Sequence, residues 1–127
     1  MNPVGNQQLM QRSVAMTNSN GKEKVSEAER AAIDNLWTRA WSIRSSNVAE
    51  AVALSEQALA RSERSGYRRG KAYSLRNLSL CHSVNSNYDA ALHCGLESVR
   101  LFEAGRDLDG LASAVNCLSL IHWELGD

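Results

Sequence analysis

Residues 70–87 can be laid over residues 110–127 without a gap. Gly70 falls on Gly110, Ala72 on Ala112, Leu75 on Val115, Leu78-Ser79-Leu80 on Leu118-Ser119-Leu120, His82 on His122 and Asn87 on Asp127, all at a constant offset of 40 residues. The intervening segment repeats at the same offset: Val48, Ala51, Val52, Ser55, Ala58 and Leu59 fall on Tyr88, Ala91, Leu92, Gly95, Ser98 and Val99. Leu36, Ala40 and Ile43 match Leu75, Ser79 and His82 one residue closer, at 39, as a one-residue difference in a turn would produce. A period of this length means that one supersecondary unit is used serially. Such a unit cannot cover its own apolar faces, so successive units must stack.

The unit is helical. Pro3 is the chain's single proline, so everything after it is free of the strongest helix breaker, and Ala, Leu, Ser, Glu and Arg dominate over β-branched residues. Ser26 with Glu29, and Asn47 with Glu50, have the spacing of helix N-terminal caps. Gly66, Gly105 and Gly126 are natural stops because glycine tolerates a left-handed cap. The reading is five helices: from Ser26 to about Arg44, from Asn47 to Arg64, from Arg68 to Val84, from Tyr88 to Glu103 and from Leu108 to Leu125. Short polar turns such as Asn85-Ser86-Asn87 join them, as expected between antiparallel neighbours. Residues 1–24 are rich in Asn, Gln, Ser and Gly and lack a sustained period. They read as a flexible leader, with at most a short amphipathic turn from Leu9 to Met16.

Small residues set the expected packing. Ala40, Ser79 and Ser119 sit where the first helix of each hairpin presses on its partner, and Ala51 and Ala91 sit where the partner presses back. Small side chains let helix axes approach to the near end of the usual ~8–10 Å range. Leu75, Leu78, Leu92 and Val99 then fill the space between hairpins.

The pattern Leu75-x-x-Leu78-Ser79-x-x-His82, followed by Tyr88-x-x-Ala91-Leu92-x-x-Gly95-x-x-Ser98, resembles the tetratricopeptide repeat over about residues 27–127. The spacing is longer than that family's usual ~34 residues. It is similar to the long variant in the sensory regions of bacterial signalling proteins such as diguanylate cyclases, nucleotide cyclases and sensor kinases. The closing proline of many members is absent, and Arg39 occupies a normally apolar position. The resemblance implies an all-α, right-handed stack of antiparallel hairpins, in repeats of about 27–66, 67–106 and an incomplete 107–127. It also implies a concave groove lined by the first helix of each hairpin, which binds a peptide or a partner domain or pairs with itself.

By helical spacing, the groove side carries Asp34, Trp37, Trp41 and Arg44 on the first helix, Tyr73, Arg76 and Leu80 on the third, and Ser113, Asn116, Leu120 and Trp123 on the fifth. All three tryptophans fall in this set, and Trp, Tyr and Arg are the usual anchors of interfaces. The competing reading is that Trp37 and Trp41 belong to the core or cap the first repeat. Val115, Leu118 and Ile121 call for cover by a following helix, a second copy or a partner.

Other function classes find little purchase. Lys+Arg and Asp+Glu number 14 each, so no net charge draws the chain to nucleic acid or a membrane. The run from Arg61 to Lys71 has five basic residues against Glu63 alone, but it lacks aromatics beyond Tyr67 and reads as a solvated, partly paired turn. Cys81, Cys94 and Cys117 are odd in number without CxxC spacing, which suits a reducing compartment, the cytoplasm by default. His82 and His122 are repeat equivalents and His93 stands apart, so no metal site is expected. No catalytic fingerprint occurs and no cofactor is implied. The expectation is a protein-interaction or dimerisation module, with a small-ligand or peptide receptor built around Trp37, Tyr73 and Trp123 as the alternative.

Overall fold

A computed structural model describes residues 25–126, so the leader, with its Leu9–Met16 turn, lies outside the described residues. Those residues form five helices and no strand: α1 Glu27–Ile43, α2 Val48–Ser65, α3 Arg68–Val84, α4 Tyr88–Gly105 and α5 Leu108–Glu124.

The helix starts follow from side-chain caps. Ser26 Oγ accepts from the Glu29 amide at 3.1 Å, Asn47 Oδ1 from the Glu50 amide at 3.1 Å and Asp107 Oδ1 from the Gly110 amide at 3.0 Å. Each satisfies a first-turn N–H that has no partner within the helix. The stops recur with the repeat. Gly66, Ser86, Arg106 and Gly126 all have positive φ and are evenly spaced at half the repeat. Beyond three of them an amide reaches back five residues: Tyr67 to the Ser62 carbonyl, Asn87 to His82 and Asp107 to Phe102. The expected stop at Gly105 is thus displaced. Gly105 stays helical, and Arg106 takes the left-handed position at φ 56°. The turn after α1 differs from the rest, since Ser46, at the equivalent place, has no positive φ and the Asn47 amide reaches back only four residues, to the Ile43 carbonyl.

Consecutive helices pack as antiparallel hairpins. Across the array α1 touches α3 and α3 touches α5, whereas α2 and α4 do not meet. The α1–α3–α5 layer is therefore the closed, concave side and α2–α4 the splayed one. Helix α3 lies at the centre and is buried continuously from Ala72 to Ser79.

Ala40, Ser79, Ala51 and Ala91 act as their spacing implies, whereas Ser119 is exposed and its hydroxyl donates to the Val115 carbonyl of its own helix. Ala40 and Ala51 are fully buried against Leu54 and Cys81, and Ala91 is fully buried opposite Ser79. Ser79 Oγ donates to the Ala91 carbonyl at 2.8 Å, and Ser98 Oγ donates to the Ala72 carbonyl at 2.8 Å, a reciprocal pair between α3 and α4. Serine here keeps the axes close while its hydroxyl is satisfied across the seam. Gly70, Gly95 and Gly110 extend the principle, since a Cβ at any of them would overlap a neighbouring side chain.

Candidate partner-binding groove

The concave layer is built in tiers. At its upper tier, Asp34 on α1 and Asp107 before α5 flank Arg69 on α3, whose guanidinium lies 3.6 and 3.7 Å from the two carboxylates. Tyr67 Oη donates to Asp34 at 3.0 Å, Trp37 Nε1 to Asp34 at 2.8 Å and Tyr73 Oη to Asp107 at 3.2 Å. Burial first, then the neighbouring carboxylates, raises the hydroxyl pKa of Tyr67 and Tyr73 above 10.0.

One tier down, the rings of Trp37 and Tyr73 stack at 4.1 Å and 6°, and Phe102 meets the edge of Tyr73 at 4.7 Å. This stack joins α1, α3 and α4 and forms the floor of the layer. Its closeness leaves no room for a ligand between Trp37 and Tyr73, and Trp123 makes no ring contact with them among the described residues. The enclosed pocket expected from these three side chains is not formed.

The third tier holds Arg76. Its side chain is 5% exposed, yet no carboxylate lies within ion-pair distance of it among the described residues. Its guanidinium donates to Asn77 Oδ1 at 2.9 and 3.3 Å and to Ser113 Oγ at 3.2 Å. The guanidinium carbon stands 3.7 Å from the Trp41 ring centre and 4.9 Å from that of Tyr73. The ring faces offset part of the desolvation of the cation. Desolvation still lowers its pKa to about 10, so it remains charged at neutral pH. Arg44 lies 3.8 Å from the centre of the same Trp41 ring and donates to the Trp41 carbonyl at 2.6 Å. It too has no carboxylate partner among the described residues. The field of Arg44 is felt at Arg76, Cys81 and Cys117, which places all four groups in one neighbourhood.

The lowest tier is open and of mixed polarity, with Ser83 and Ser86 among its lining. Leu80, Val84 and Tyr88 face Leu120 and Glu124 across a depression of about 390 Å3. Trp123 beside it is 79% exposed.

Several expectations shift. Tyr73 and Arg76 are buried, forming the floor where an outward-pointing pair was expected, because α1 and α5 close over both flanks of α3. Trp37, Trp41, Arg44 and Leu80 are half-buried, while Asn116, Leu120 and Trp123 are exposed. The expected association face of Val115, Leu118 and Ile121 does not hold together. Ile121 is fully buried, and Leu118 fills the notch above Gly95 on α4; only Val115 is open. Residues that sequence reasoning passed over are Asn77, Val84 and Asp107, while Arg69 was counted only within the basic run. Asn77, a polar residue amid apolar neighbours on α3, was the available signal; its amide donates to the Trp37 carbonyl at 2.8 Å.

In the rest of the basic run, Arg61 pairs with Glu29 and Lys71 with Glu63. Cys81, Cys94 and Cys117 are free thiols whose pKa values burial pushes above 9.0. Among the described residues, no group of three or more His, Cys, Asp or Glu side chains could hold a metal ion, and no helix is long and apolar enough to cross a membrane. No protein-family model, curated protein or solved structure matches the chain.

Proposed function

We propose that the chain is a tetratricopeptide-like protein-interaction module whose α1–α3–α5 layer receives a segment of a partner protein, as the interaction or sensory region of a signalling protein would. The observation that carries this reading is the open lower tier. Trp123 at 79% exposure, Val84 and Leu120 stand in solvent, the last two lining one depression with Leu80, and Trp41, bracketed by Arg44 and Arg76, belongs to the same α1–α3–α5 layer. Large apolar side chains exposed together, rimmed by arginine, are the usual composition of an interface centre. The buried tiers above supply rigidity, so a ligand would meet a preformed surface. Three free thiols fit a reducing compartment such as the cytoplasm.

The test is selection of binding peptides from a random display library against the folded chain, followed by Trp123→Ala and Leu120→Asp. Each substitution should weaken the selected peptides by roughly 30-fold or more, the range of a central anchor, with the circular dichroism unchanged. Peptides that bind both variants as tightly as the parent would remove the groove from the account.

A second reading has its own observation. In α3, Ala72, Leu75 and Ser79 are buried under α4; their repeat equivalents in α5, Ala112, Val115 and Ser119, are exposed. That face of α5 is shaped to take another helix. A second copy could supply it, so sedimentation of Val115→Asp against the parent decides: a parent dimer lost in the variant supports self-association, and a monomeric parent excludes it.

A further inference from the structure

Helices α2 and α4 do not touch, so the side of the array away from the groove is a gap floored by α3. At one end of this gap, where α2 finishes, α3 begins and α4 finishes, lies a cavity of about 340 Å3. Its charged lining is Arg68, Lys71 and Arg100 against Glu63. Lys71 pairs with Glu63 at 3.6 Å, and Arg100 pairs with Glu97 of its own helix. Arg68 has no carboxylate within ion-pair distance among the described residues. The first turn of α3 carries no acidic residue, and Tyr67 at its N-cap offers the first-turn amides no side-chain acceptor. Cations at this end of a helix oppose its dipole. The closing ends of α2 and α4 offset part of that field, and the formal surplus stays with Arg68.

Ser62 lines the same cavity. Its hydroxyl is buried against Gly70 in the first turn of α3 and has no hydrogen-bond partner, which native structures seldom leave without a reason. A second cavity, of about 180 Å3 and mainly apolar, lies between α3 and α4 against Ala72, Leu101, Phe102 and Gly105. Arg69 and Asp107, paired with each other, also line it. Arg68 and Leu101 line both cavities, so the Arg68 side chain is the partition between a cationic chamber and an apolar one. That side chain is exposed, and exposed side chains change rotamer rapidly, so the partition can move aside. An apolar cavity of about 150 Å3 is enough for a benzene ring.

We infer that these two chambers bind a small organic phosphate, the phosphate monoester of a single-ring compound, with its phosphate among Arg68, Lys71 and Arg100 at the start of α3 and its ring in the apolar cavity beside Phe102. The site lies outside the α1–α3–α5 groove and does not depend on it. A phosphate dianion takes up the unmatched charge of Arg68 and faces a helix N-terminus, and both favour it. A bare phosphate would leave the apolar chamber empty, and the paired chains of a lipid would exceed it.

The experiment titrates the isotope-labelled whole chain with phenyl phosphate, inorganic phosphate and phenol, and follows the amide signals by NMR. Phenyl phosphate should move the amides of Arg68, Leu101 and Phe102 and bind about tenfold more tightly than either of the other two. Arg68→Gln should weaken it by about tenfold, with the melting curve unchanged. Ala104→Glu, which sets an acid on the exposed rim, should do the same. Arg39→Gln, which removes an exposed cation from α1, should leave the affinity as it is. The inference is overturned if phenyl phosphate moves none of these amides, if inorganic phosphate binds as tightly, or if Arg39→Gln weakens binding as much as Arg68→Gln does. A short phosphotyrosine peptide that binds more tightly than phenyl phosphate would give the site to a protein segment and overturn the small-molecule assignment. None of these outcomes bears on the groove reading, so the two stand or fall separately.

Discussion

Gly110→Ala is the sharpest perturbation of the close packing on which the fold rests. A Cβ at Gly110 would press on three carbons of the Phe102 ring, the farthest of them only 2.7 Å away. Phe102 is 2% exposed and is itself held edge-on against Tyr73, so the ring has nowhere to turn. Overpacking of this kind costs about 1–3 kcal/mol. Replacing glycine by alanine inside a helix returns at most ~1 kcal/mol, and less in a first turn, where Gly110 lies. The net expectation is a loss of about 1–2 kcal/mol. At roughly 4 °C per kcal/mol for a chain of this size, that lowers Tm by about 4–8 °C. Gly105→Ala is the internal control. The nearest atom to its Cβ would be Arg68 Cδ at 3.8 Å, an ordinary contact, and Gly105 has no positive φ. That variant should gain a few tenths of a kcal/mol from helix propensity and from the smaller entropy of the unfolded chain. Urea unfolding followed by circular dichroism measures both. If Gly110→Ala is as stable as Gly105→Ala, the argument that glycine at the seams sets the helix spacing is refuted.

Three further outcomes follow from the buried polar groups. Asn77→Ala removes both the acceptor for Arg76 and the donor to the Trp37 carbonyl, and should cost about 2–4 kcal/mol in urea unfolding; a cost below ~1 kcal/mol would mean that the network is not stabilising. Tyr67 and Tyr73 should ionise later in the native chain than at the usual value of 10.0, so absorbance at 295 nm in an alkaline titration should lag that of the urea-unfolded chain; coincident curves would contradict their burial. Absorbance is the right readout because the linked stability terms oppose each other. The raised tyrosines contribute stability that is complete below pH 10 and lost as the pH rises through their folded values, whereas Arg76, lowered to about 10, makes the native state gain as the pH rises from there toward the ordinary arginine value. Cys81 and Cys117 should resist a thiol reagent near pH 8 until the chain unfolds, and stoichiometric labelling of the native protein would count against their placement.

The helices were legible because their signals are local. Ser26 and Asn47 cap where their spacing with Glu29 and Glu50 places them, and Gly66 ends α2. Arg106 was not legible as a stop, since a left-handed arginine has no sequence signature beside an available glycine. The recurrence of Ala40, Ala51, Ser79 and Ala91 identified the seams, because only small side chains serve there. The groove was harder to read. Helical spacing gives the direction in which Tyr73 and Arg76 leave α3, but their burial depends on how closely α1 and α5 flank it, which is a property of the whole stack. The outward face of α5 was misjudged for a related reason. Ile121 is fully buried and Leu118 occupies the Gly95 notch, while the open positions are those whose equivalents on α3 press against α4.

Amide chemical-shift mapping of a display-selected peptide on the isotope-labelled chain tests the functional claim most directly. The groove account predicts shifts concentrated at Trp41, Arg44, Leu80, Leu120 and Trp123, with the α2 and α4 exteriors, such as Glu56, Ala60 and Leu96, undisturbed. Shifts confined to those exteriors would contradict it.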